Sequence, residues 1–143
     1  MKITWKYTEE VAAGGGITTR QQTLVLGDDL AGLPIRDYEG PRVGIEVDRI
    51  AKARGEAEKI FARGSRKYDG SFTVTRTFET YKDAVEFRHS YAEKVCRSGV
   101  LTVTVDGWNT SAVAVFEAVE PVMGSSAGTT VAYKHYWVSE DWS

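Results

Sequence analysis

The chain has 143 residues, a length that fits one domain able to bury its own core without disulfides or metals. Charged residues make up 27% and hydrophobic residues 42%, an ordinary globular balance, and the net charge of −2 argues against a protein that coats DNA or RNA through a strongly basic face. The single cysteine, Cys96, excludes an intramolecular disulfide and a cysteine-built zinc site, and the longest apolar run, Ala112 to Phe116, is too short to span a bilayer.

Composition leans toward sheet. Sixteen Val and 14 Thr stand against 5 Leu. β-branched side chains are stiff at χ1 and suit a pleated surface, whereas a helical bundle favours Leu. The expectation is a single domain over residues 1–143, mainly β, an antiparallel β-sandwich or split barrel with one flanking helix at about 80–96.

In chain order, Ile3, Trp5 and Tyr7 alternate with Thr4, Lys6 and Thr8, a first strand and not an apolar export signal. Val11 to Gly16 is a glycine-rich turn, and Ile17 to Leu26 a second strand. From Gly27 to Arg42, Gly32, Pro34, Gly40 and Pro41 break the pattern, which predicts a long loop and a possible interaction surface. Val43, Ile45 and Val47 alternate as a third strand. Ile50 to Glu58 is a charged loop or short helix, Glu58 to Ser65 returns as a strand, and Tyr68-Asp69-Gly70 is a tight turn.

The second half is sharper. Phe72, Val74 and Phe78 alternate with threonines in a strand whose other face is Thr-rich. Thr80 then opens the helix, with Asp83 in a capping-box-like position and an apolar stripe of Ala84, Val85, Phe87, Tyr91 and Val95. Gly99 is expected to end it in a left-handed turn. Leu101 to Val105 is a strand, Asp106-Gly107 a hairpin turn, Ala112 to Glu120 a strand, and Thr129 to Val138 the last.

Motifs with chemical potential are sparse, and no catalytic, cofactor-binding or metal-ligating residue is assigned. Gly124-Ser125-Ser126-Ala127-Gly128 has the letters of a nucleophile elbow, but an elbow needs a helix after it and here a strand is expected. His89 and His135 could meet if the helix packs on the last strand, yet two histidines alone make a poor zinc site. Cys96 reads as a buried structural residue, because the helix C-terminus raises a thiol pKa. Asn109-Thr110-Ser111 matches a glycosylation triplet only by letters, and Asp28-Asp29 is a turn pair. Trp5 and Trp137 suit a core, Trp108 and Trp142 an interface. Arg49, Lys52, Arg54, Lys59, Arg63, Arg66 and Lys67 form a local basic segment that keeps nucleic acid open as a partner, although the acidic overall balance disfavours it.

Three short elements occur in order: Arg63-Gly64-Ser65-Arg66, then Ser71-Phe72-Thr73-Val74-Thr75-Arg76, then Ser98-Gly99-Val100-Leu101 after the helix. Over roughly residues 60–105 this resembles phage tail structural proteins of the tail-tube and distal-tail kind, with Ser65 where an Asn is expected. The resemblance implies a non-enzymatic virion subunit of a phage or prophage tail, a tail tube, distal tail or baseplate-type component. It further implies self-assembly into rings, hexameric by analogy, contacts with other tail proteins, no cofactor and no membrane. Such a protein resides in the bacterial cytoplasm during assembly and then in the virion tail. The alternative is a monomeric β-barrel ligand- or protein-binding module with a tryptophan-lined pocket. An enzyme using Ser126 or the histidines is the third reading.

Overall fold

A computed structural model describes the backbone at residues 1–50, 59–122 and 128–142, and side chains at 1–44, 67–122 and 128–140. Seven strands and one helix follow in the order β1 (Lys2–Ala13), β2 (Gly16–Asp28), β3 (Ile35–Ile50), β4 (Lys59–Thr77), α1 (Tyr81–Val95), β5 (Ser98–Val105), β6 (Trp108–Pro121) and β7 (Thr130–Trp142). The strands form one antiparallel sheet in the order β2-β1-β5-β6-β7-β4-β3. The mainly β architecture with one flanking helix expected from composition is the one found.

Alternation decides which face is buried. Ile3, Trp5 and Tyr7 of β1, Leu101 and Val103 of β5, and Phe72 and Val74 of β4 all point inward. From β7, Val131, Tyr133, His135 and Trp137 point to the same side. The sheet curls so that its two ends approach. A Cβ on Gly27 of β2 would lie 2.5 Å from the Ile35 side chain of β3 and 3.1 Å from Val74 of β4. The amide of Thr75 in β4 donates to the Pro34 carbonyl at 3.3 Å, which carries the β3–β4 ladder back to the turn after β2. This is a split barrel, joined at its root.

Rings run through the core in sequence. Trp5 meets Phe116 edge-on at 4.6 Å, Phe116 meets Phe72 at 6.1 Å, and Phe72 stacks on His135 at 4.6 Å. Tyr91 of α1 meets His135 edge-on at 5.5 Å and stacks on Phe87 at 4.4 Å. Fully burying a ring of this size contributes on the order of 2–3 kcal/mol from desolvation alone.

α1 links β4 to β5 across the intervening β7 and β6 and packs on both. The Thr80 hydroxyl accepts the Asp83 amide at 3.2 Å, the N-terminal cap read from sequence. Ala84 and Val95 are its fully buried residues, whereas Val85 is only half-buried. Its end differs from expectation. The Cys96 amide bonds back to Ala92, and Gly99 lies in β5, where a Cβ would sit 2.5 Å from the Lys6 carbonyl. Gly99 serves close strand packing, not a left-handed cap.

Three other expectations are corrected. The long loop at 27–42 is a short turn followed directly by β3. Asp28 and Leu33 form a bridge, the Asp28 carboxylate accepts Leu30 N–H, and the Asp29 carboxylate accepts Ile35 N–H. β3 is a sheet edge, so it tolerates Pro41 and its cis bond along with register shifts between Arg36 and Arg42. Tyr68-Asp69-Gly70 is not a turn but the middle of β4. Gly70 is there because the Glu39 carbonyl and the Trp137 ring each come within 2.5 Å of where a Cβ would be. Cys96 is exposed, being one residue past the last helical turn. The stretch 51–58, read as a loop or short helix, lies outside the described residues.

Candidate functional site

The two histidines do not come together. His89 is exposed on α1, while His135 is 1% exposed in the core. His135 is instead partnered by Tyr91, whose hydroxyl lies 2.7 Å from Nε2. Burial pushes the His135 pKa down to about 4, and the backbone of Phe72 and Tyr133 beside the ring only partly offsets this. Nδ1 makes no well-formed hydrogen bond. The same burial pushes the Tyr91 hydroxyl well above its usual range. The result is a neutral, locked pair under the helix. The enclosed space against it, walled by Leu26, Phe87 and Tyr133, is about 10 Å³, room for one water.

Other singled-out residues fall as follows. Ser126 lies outside the described residues, and β7, which follows it, pairs antiparallel with β6. Burial raises the Cys96 thiol pKa although the residue is exposed overall. Trp5 and Trp137 are core, Trp108 is 62% exposed beside its turn, and the Trp142 side chain is outside the description. Thr110 of the glycosylation triplet is buried in β6. Of the basic segment, Lys67 is the described side chain, and it is exposed. Among the described residues, no group of three or more His, Cys, Asp or Glu is placed to hold a metal ion, and no helix is long and apolar enough to cross a membrane.

The surface features are larger. β1 pairs with β5 only from Lys2 to Lys6, but with β2 as far as Ala13. Beyond Lys6 the β1–β2 pair therefore continues as a two-stranded ribbon, turned by Gly14 and Gly15, both at positive φ. The two-residue turn sits where the sequence placed a glycine-rich turn, and glycine adopts both of its positive-φ conformations at no steric cost. On the ribbon Glu9 accepts from Arg20 at 2.6 Å and from Gln22 at 2.8 Å, bonds that hold its carboxyl pKa down. At the ribbon's root Arg97 lies over the Tyr7 ring at 4.4 Å.

A second ribbon mirrors the first. β4 pairs with β7 from Thr77 back to Tyr68, while its pairing with β3 continues out to Lys59 and Ile50. At this ribbon's base the outer sheet face carries a groove of about 590 Å³, lined by Glu39, Arg42, Lys67, Asp69, Glu117 and Lys134 among others. The Arg42 guanidinium clamps the Asp69 carboxylate through two bonds of 2.9 and 3.2 Å. Exposed apolar side chains sit on ribbon and sheet surfaces alike: Ile17 at 76%, Val113 at 65% and Val43 at 56%.

The ribbons and the Tyr91–His135 pair are what reading the sequence missed. Lengths of alternation on either side of Gly14-Gly15 carried a signal for the first ribbon. Nothing local signalled that β5 would stop pairing at Lys6. No protein-family model matches the chain, and no curated protein matches it either.

Proposed function

We propose that this chain is a non-enzymatic structural subunit of a phage or prophage tail, of the tail-tube, distal-tail or baseplate kind, that assembles into rings. The observation that carries the reading is the pair of ribbons running beyond a closed aromatic core. A two-stranded ribbon is marginal by itself in water, and its unpaired main-chain groups are ready to join another chain. The order strand–helix–strand around Phe72 and Leu101 adds the tail-protein resemblance. Partners on this reading are further copies of the chain and other tail proteins, with no cofactor.

The test is the mass of the purified protein in solution across a wide concentration range, by size exclusion with light scattering, and electron microscopy of any large species. Rings, short tubes or growth toward a hexamer with concentration is the expected result. A mass fixed at one chain throughout supports the second reading, a monomeric binding module. The observation favouring that reading is the polar groove at Arg42 and Asp69, which the otherwise buried Trp137 also lines, whereas Trp5 is sealed in the core.

A further inference from the structure

The two free edges of the sheet are built differently, and the difference points to one of them as a joining surface. Natural sheets block their edges with proline, charge, bulges and irregular backbone, since an open edge is a template for another strand. The part of β3 from Ile35 to Arg42 carries all of these. It has Pro41, Asp37 and Gly40 at positive φ, exposed Arg36, Asp37, Glu39 and Arg42, and two register shifts. β2 carries almost none. From Gly16 to Val25 it has no proline, one charged residue and an unbroken register against β1. That one charge, Arg20, is tied to Glu9 across the ribbon.

The groups that β2 offers follow from the turn. In a two-residue hairpin the residues flanking the turn, Ala13 and Gly16, form a hydrogen-bonded pair, and such pairs alternate along the ladder. Thr18, Arg20 and Gln22 then spend their main-chain groups on β1. Ile17, Thr19, Gln21 and Thr23 point theirs away from it. Among the described residues no other strand pairs with β2.

We propose that this outward ladder of β2 is where a second copy of the chain adds a strand. The inference rests on the ring reading above, and it names the surface. A ring needs a head-to-tail contact between two different surfaces, because a β2-to-β2 contact would stop at a dimer. The chain carries a complementary edge of its own at the other end of the strand order. That edge is the outer part of β3 from Val43 to Ile50, which has no proline and a single register shift between Ile45 and Val47, and which among the described residues pairs only with β4. Main-chain bonds supply the affinity in such strand addition, and exposed Ile17 and Val43 supply apolar cover.

Proline discriminates. Thr19→Pro with Gln21→Pro removes two outward N–H groups while leaving every β1–β2 bond in place, since proline is tolerated where a strand's N–H faces solvent. The expected result is a chain with unchanged circular dichroism and melting temperature whose dissociation constant for self-association rises at least roughly a hundredfold, the loss expected of two bonds each left unmade. Amide exchange on the unaltered protein gives an independent reading. Ile17, Thr19, Gln21 and Thr23 should exchange freely when dilute and at least roughly tenfold more slowly when associated. A folded double-proline variant that associates as well as the parent, or outward amides equally open in both states, overturns the β2 surface and leaves the ring reading standing. A parent chain that is monomeric at every concentration overturns both.

Discussion

His135 places a titratable ring in the core, 1% exposed. Its pKa of about 4 in the folded chain lies below the ordinary 6.5, so between these values the unfolded chain binds the extra proton. Stability is therefore fully present above about pH 6.5 and falls as the pH drops toward 4, by about 3 kcal/mol in total. Replacing His135 by Gln should flatten that part of the pH profile, read as urea midpoints at pH 7 and at acid pH. A chain whose His135→Gln variant keeps the parent's acid sensitivity would place the titrating group elsewhere. Gly70 makes a second point at this scale. Gly70→Ala drives a methyl into the Glu39 carbonyl and the Trp137 ring and should cost about 1–3 kcal/mol. Gly44→Ala, whose Cβ would meet only the Lys67 carbonyl at 3.9 Å, should be close to neutral in the same denaturation series. At Gly70 the sequence misled because glycine beside aspartate ordinarily signals a turn. Here it answers a ring that sits on the neighbouring strand and is invisible to any local reading. The Tyr91–His135 pair is hidden for the same reason, since the register between α1 and β7 is a tertiary fact.

Among the elements, α1 was the most legible, because its cap, stripe and length are all local. Thr80→Ala removes the hydroxyl that accepts the Asp83 amide and should lower stability by about 1 kcal/mol, a shift of a few degrees in melting temperature. Its C-terminal end was less legible, since Gly99 serves the packing of β5 on β1. β3 was misread through Pro34, Gly40 and Pro41, which mark loops in most contexts but are compatible with an edge strand. β4 was read as two strands and is one, running from its ribbon into the barrel. Each error has one origin: a residue's turn propensity was weighed without knowing whether its strand lay at the edge or in the middle of the sheet.

For the whole molecule, composition was enough to give the β-rich class, and nothing in it encoded the strand order. That order has a consequence for how the chain is made. β1 is held in the sheet by β5, yet β2, β3, β4 and α1 all leave the ribosome before β5 does. Through that interval the β1–β2 hairpin exists with both of its flanks unoccupied, and long-range pairing of this kind is slow to form. Nascent chains on neighbouring ribosomes would meet first through these hairpins. The edge proposed for assembly is thus also the one longest exposed to premature pairing during synthesis.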